Sequence, residues 1–254
     1  IRAGANTAVF DLFTSPTTSV QMILKFKAAS SGDLYLSSLA IDTRQTDGAD
    51  SRVTHSYSET GEYTGYGLTQ TGGDLWQSMS FSKVGPNAWS SFSMTSDTAA
   101  KTLTFYNVSV TSEQMAAYFA PSATNDAKFA LIDQHASIKS VIHTGGSMSL
   151  TQSEKSADGA WVARHKLVDV GDGVYECYLL VAGAEKRFLP DQTVVIGSRS
   201  YTASFGPAKI GGKSALGLTL KSSERTLVLD YPETDFLEVD GKKYQVTLAA
   251  DGTI

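Results

Sequence analysis

The chain has 254 residues, of which 41% are hydrophobic and only 19% charged, and its formal net charge is −5. That length suits one large or two medium domains, each with a core that needs no disulfide staples. An acidic balance lacks the basic footprint of a nucleic-acid binder and is repelled by anionic membrane surfaces. The polar remainder is largely Ser, Thr and Gly, a mixture that resembles β-rich extracellular and virion proteins more than cytosolic enzymes. No apolar run approaches the ~20 residues of a membrane-spanning helix. No signal-peptide pattern is visible, and a chain opening on Ile1 reads as a processed or trimmed product.

In chain order, Val9, Phe10, Leu12 and Phe13 form a short apolar cluster before the turn Ser15-Pro16-Thr17. Val20, Met22, Leu24, Phe26 and Ala28 then alternate with Gln21, Lys25 and Lys27, which predicts a strand, and DLYLSSLAI predicts a second. Residues 42–74 are the longest polar stretch and read as a loop, of a length uncommon in compact domains unless it binds something or moves. Strand character resumes over Leu75–Phe81 and Trp89–Met94, with Gly85-Pro86-Asn87 as the turn between them.

The segment Lys101–Ala120, KTLTFYNVSVTSEQMAAYFA, anchors the architecture. Tyr106, Val108 and Val110 point to one side of a strand and Leu103, Phe105 and Asn107 to the other, so the strand is expected to be buried on both faces. Thr111 and Gln114 then form a capping-box pattern. Met115, Tyr118 and Phe119 fall on one side of a short helix that Pro121 ends.

Residues 121–128, PSATNDAK, carry no apolar anchor and mark the expected boundary between domains 1–122 and 123–254. Beyond it no stretch shows a convincing helical period. Asp158-Gly159, Gly171-Asp172-Gly173, Gly197-Ser198 and Asp240-Gly241 each separate alternating runs, which predicts hairpins. The fold class is therefore all-β: an N-terminal β-sandwich closed by a short helix, then a smaller C-terminal barrel or sandwich.

Chemistry-bearing patterns are sparse. Gly206–Ser214, GPAKIGGKS, nearly matches a phosphate-binding loop, but Pro207 stands where the first glycine belongs and the following residues alternate as a strand; a glycine-rich hairpin is the better reading. His55, His135, His143 and His165 lack metal-site spacing, although Asp133 and His135 would share a side of a strand. Cys177 lies in the strand pattern VYECYLL beside Glu176 and reads as a buried free thiol. Glu59, Glu62, Glu233, Asp235 and Glu238 read as solvated loop carboxylates rather than a glycosidase pair. Asp42, Asp47 and Asp50 could gather oxygen ligands for Ca2+, the one cofactor considered. Tyr57, Tyr63, Tyr66 and Trp76, among Gly, Thr and Gln, are candidates for gripping sugar rings by stacking and hydrogen bonding.

The run Trp89–Ala117, WSSFSMTSDTAAKTLTFYNVSVTSEQMAA, resembles the closing half of carbohydrate-binding-like β-sandwich modules. Among these are lectin-like jelly rolls that end in a strand and a short S-x-E-x-(M/I)-A helix, here Thr111-Ser112-Glu113-Gln114-Met115-Ala116. Similar sandwiches recur in tail, fibre and capsid-surface proteins of bacteriophages. The resemblance covers roughly residues 10–120 and implies a jelly-roll-like fold, while fold alone does not set function. The expectation is a non-enzymatic structural or attachment protein, virion-borne or extracellular, that acts on other subunits of its assembly as a homo-oligomer. A glycan-binding module for cell-surface glycans is the alternative, and a glycan hydrolase on a β-sandwich comes after it.

Overall fold

The computed structural model describes residues 2–254. The chain is all-β, 62% strand and 8% helix. It divides into two compact units, Ile1–Ala136 and Ser137–Ile254. Among the described residues the first unit holds β1 (Arg2–Gly4), β2 (Thr7–Thr14), β3 (Thr18–Ala28), β4 (Leu34–Gln45), β5 (Ser51–Tyr57), β6 (Tyr63–Gly72), β7 (Leu75–Gly85), β8 (Ala88–Asp97) and β9 (Thr102–Val110). Two helices follow, α1 (Ser112–Phe119) and α2 (Asn125–His135). Each of the strands β1 to β8 pairs antiparallel with the next in chain order. This is a meander, which corrects the jelly-roll expectation: a jelly roll is built of Greek keys, whose spatial neighbours are not consecutive in the chain.

The register lines up side chains in rows across the strands. One row reads Phe10, Met22, Ile41, Val53, Leu68, Met79, Ser93 and Tyr106. The next reads Ala8, Leu24, Leu39, His55, Tyr66, Phe81, Ser91 and Val108. Both lie on one face, and the helices cover only its far end. There α1 packs on β8 and β9 and α2 on β9, so Leu68, Met79, Phe81 and Val108 are almost fully buried. Tyr118 of α1 sets its ring 4.7 Å from that of Phe81. At the β2–β4 end the same rows are only half-buried.

Helix α1 starts as the sequence predicts. The Thr111 hydroxyl accepts from the Gln114 N–H at 3.2 Å, and the Gln114 side chain accepts from the Thr111 N–H at 2.8 Å. Strand β9, however, is buried on one face only: Val108 and Val110 are inside while Asn107 and Ser109 face solvent. Helix α2 was unexpected. Its apolar residues Ala127, Phe129, Ala130, Leu131 and Ile132 are spread around the axis rather than along a stripe, and Thr124 caps its start. Because α2 packs back on β9, the division falls after Ala136 rather than at 122/123. Residues 42–74, read as a loop, are mostly β5 and β6, whose Ser, Thr and Gly content masks an ordinary alternation.

In the second unit β10 (Ala136–His143), β11 (Ser149–Lys155), β12 (Trp161–Gly171), β13 (Val174–Val181) and β14 (Ala184–Phe188) again pair in chain order. So do β15 (Gln192–Ile196), β16 (Arg199–Ile210), β17 (Lys213–Lys221) and β18 (Thr226–Leu229), and a hairpin of β19 (Phe236–Val239) and β20 (Lys242–Gln245) follows. One core is shared by these sheets, with Leu179, Phe188, Tyr201, Leu218, Leu220 and Val239 at its centre. The predicted turns are present. Asp240 and Gly241 both take positive φ, 53° and 73°, as a two-residue hairpin whose twist matches its strands requires. Gly211 and Gly212 make the same kind of turn between β16 and β17, so the near-match to a phosphate loop is a hairpin.

The cover supplied by α1 sets an expected energetic order. Tyr118→Ala should destabilise the first unit by about 3–5 kcal/mol, as emptying a large buried aromatic site does, and Thr111→Ala by about 1 kcal/mol through the lost cap. Urea unfolding of the two variants checks this; equal losses would mean that α1 is not the cover of the sheet.

Candidate functional site

The register separates the aromatic candidates. Tyr57, Tyr63 and Tyr66 lie on β5 and β6 and belong to a ring cluster with His55, Trp89 and Phe119. Phe119 of α1 meets Tyr63 at 5.3 Å and Tyr66 at 5.2 Å, edge to face, and the Tyr63 hydroxyl lies 3.1 Å from His55 Nδ1. Tyr66 is 3% exposed. Burial pushes its phenol up to about 12 and raises Tyr63 further, with Tyr57 and Tyr66 adding to the effect on Tyr63. These rings are core under α1. Trp76 is directly opposite Thr71 and Ser96, on the other face of the sheet, so the four candidates are not gathered in one place.

The aspartates do better. Asp47 caps its own turn by accepting from the Ala49 N–H, and Asp50 accepts from the Gln45 N–H at 2.9 Å. Asp42, on β4, is opposite Arg52 on β5, with Arg52 Nε 3.3 Å from Asp42 Oδ1. Asp42 is only 6% exposed, yet that oxygen takes no aligned hydrogen bond. Around the pair is an open groove of about 210 Å3, lined by Asp42, Arg44, Asp50, Arg52, Thr69 and Thr71. Arg44 forms no ion pair among the described residues. Asp42 and Asp50 thus share a groove that Asp47 does not line, and two arginines enter it. Among the described residues no group of three or more His, Cys, Asp or Glu could hold a metal ion.

The groove sits on a longer feature. A polar row crosses six strands on this face: Asp11, Gln21, Asp42, Arg52, Thr69 and Ser78. Neighbours join in pairs, Gln21 donating to Asp11 at 2.7 Å and the Thr69 and Ser78 hydroxyls 3.4 Å apart. The adjoining row holds Ser19 opposite Arg44, and Thr71 opposite Trp76. Arg44, Arg52, Thr69 and Thr71 were missed in the sequence. Treating residues 42–74 as strands and marking alternate positions would have aligned them with Asp42 and Trp76.

The remaining candidates are tied up elsewhere. His135 is on a helix and bonds the Tyr118 hydroxyl at 3.0 Å, so it shares no strand with Asp133. Glu59 accepts from the Ser30 N–H, Glu62 pairs with Lys83, and Glu233 pairs with Arg164. In the second unit the buried Cys177 thiol lies 3.0 Å from His165 Nε2, and His165 Nδ1 lies 3.0 Å from Gln152 Oε1. Gln152 Nε2 donates to Ser140, which fixes the amide orientation. His165 Nδ1–H therefore donates to Gln152, and Nε2 accepts from the thiol. Burial pushes the thiol up to about 11 and the imidazole down to about 4. Both partners are neutral at pH 7, so the pair is a packed hydrogen bond and not an activated nucleophile.

No protein-family model, curated protein or solved structure matches the chain.

The buried imidazole makes the second unit acid-sensitive. Between its unfolded value of 6.5 and about 4 the unfolded chain takes up a proton that the folded chain refuses. Stability should therefore fall as pH drops through that window, by about 3 kcal/mol in full, and no further below about 4. Urea unfolding at neutral and acidic pH checks it: His165→Gln should have a shallower slope than the parent chain, and equal slopes would contradict the assignment.

Proposed function

We propose that the chain is a non-enzymatic structural and attachment protein of a virion appendage, such as a tail, fibre or capsid surface, or of another extracellular assembly. It acts through sheet faces, against further subunits that include copies of itself. The observation that carries this reading is the uncovered end of the apolar rows. Phe10, Met22, Leu24, Phe26, Leu39 and Ile41 share one face of β2–β4, neither helix packs over them, and all remain half-buried. With Val53 on β5 the patch spans four strands ~4.8 Å apart and about seven residues of β3, on the order of 300 Å2 in projection before side-chain relief is counted. Patches of that scale on soluble proteins mark interaction sites.

A second copy is a natural occupant, because a two-fold axis sets the same patch against itself and buries both at once. The Ser- and Thr-rich opposite face suits a surface that stays wet in the assembly. A second reading, glycan binding, is favoured by the groove beside Trp76. It is compatible with the first, since repetition of weak sites in an oligomer supplies avidity.

Native mass spectrometry of the chain should show oligomers at micromolar concentration, and Leu24→Glu, in the middle of the uncovered patch, should shift them to monomer while the circular dichroism spectrum is retained. A parent chain that stays monomeric throughout would contradict the reading.

A further inference from the structure

The polar row and its groove contain a buried polar atom without a hydrogen-bond partner among the described residues. Asp42 is nearly buried, yet its Oδ1 meets Arg52 Nε only as a 3.3 Å ion pair without an aligned hydrogen bond. A buried carboxylate oxygen left in that state costs free energy that an apolar or small residue would not. Asp42 lines the open groove, where Arg44 adds an exposed guanidinium and Thr69 and Thr71 add hydroxyls. Two acids and two arginines balance, so the groove has no net formal charge. Such a set can accept from and donate to neighbouring hydroxyls at once, and it discriminates against ions of either sign. Trp76 stands in the row beside it, opposite Thr71, half-buried on the same face.

We propose that this face binds a linear, uncharged oligosaccharide laid across the strands, with successive sugar units meeting successive members of the row Asp11, Gln21, Asp42, Arg52, Thr69 and Ser78. The inference rests on the glycan reading and names its ligand class and track. Strands repeat every ~4.8 Å, so the five intervals of the row span ~24 Å, the reach of a short extended chain of sugar rings and far more than one ring needs. Asp42 and Arg52 take a vicinal hydroxyl pair at the centre, one accepting and the other donating. Trp76 offers the flat apolar surface on which a ring face stacks. No bond is made or broken. The tyrosines first considered for this role have no part in it, since they pack on the other face beneath α1.

Isothermal titration calorimetry with neutral gluco-, xylo- and chito-oligosaccharides, from disaccharides to hexasaccharides, tests the inference. The parent chain should bind at least one series, with affinity rising with chain length until the row is filled. Trp76→Ala and Thr69→Val, at partly exposed positions, should each weaken binding about tenfold. Tyr57→Phe, on the other face, should leave it unchanged. Asp42→Asn, which keeps shape and removes the charge, should weaken binding without unfolding the sheet, as circular dichroism reads. Binding that survives Trp76→Ala, Thr69→Val and Asp42→Asn, or that is the same for disaccharide and hexasaccharide, would overturn the track and leave glycan binding elsewhere. Binding of no series at millimolar concentration would overturn both the track and the glycan reading.

Discussion

A sheet has two faces, and among the described residues the first unit has two short helices with which to cover nine strands. That shortage governs the unit. The rows through Leu68 and Met79 and through Tyr66 and Phe81 are continuous from β2 to β9, but their surroundings change along the way. Under α1 and α2 they form a dry core, with Val108, Met115 and Tyr118 wholly enclosed. Towards β2–β4 the same rows continue with Met22, Leu24, Leu39 and Ile41, still apolar and only half-buried. Hydrophobic stabilisation scales with the area removed from water, so an apolar surface maintained outside the core is a cost to the lone chain and an asset to an assembly.

The two faces divide the work. Aromatic and aliphatic side chains crowd the helix side, where Phe119 fixes Tyr63 and Tyr66 edge-on. The other side carries charge pairs and hydroxyls in register, ending beside Trp76. Period-two alternation makes this separation automatic: neighbouring residues such as Ile41 and Asp42 point in opposite directions. In the second unit charge is handled differently. Arg164 is nearly buried against Asp230 and Glu233, and Arg199 and Arg225 converge on Asp240 at the β19–β20 turn, which ties that hairpin to β16 and the segment before β18. These pairs hold structure together, whereas the Asp42–Arg52 pair opens onto a groove.

Much of the fold could be read locally. The capping box at Thr111, the Asp240-Gly241 turn and the alternation from Val20 to Ala28 each declare themselves within a few residues. Helix α2 did not, because its apolar residues make no stripe, and β5 and β6 did not, because Ser, Thr and Gly dilute their alternation. The consecutive strand order is recorded by no short motif. The site was legible in part. Trp76, a sugar-stacking candidate, and Asp42, a Ca2+ candidate, lie on one face of the sheet, and Asp50 lines the same groove as Asp42, but the tyrosines neighbour Trp76 only in sequence. Their separation depends on the pairing of β6 with β7, and the partnership of Asp42 with Arg52 on the pairing of β4 with β5.

The five methionines sample these environments and give the most direct measurement. Met22 lies in the uncovered apolar row, Met94 on the opposite face, Met148 is exposed, and Met79 and Met115 are buried under the helices. Peroxide oxidation of the native chain, read by mass spectrometry at low and high protein concentration, reports which of them water reaches. If the uncovered rows are where subunits meet, Met22 becomes protected as concentration rises while Met94 and Met148 keep their rates. Oxidation of Met22 at one unchanging rate, in step with Met94 across the whole range, would contradict it.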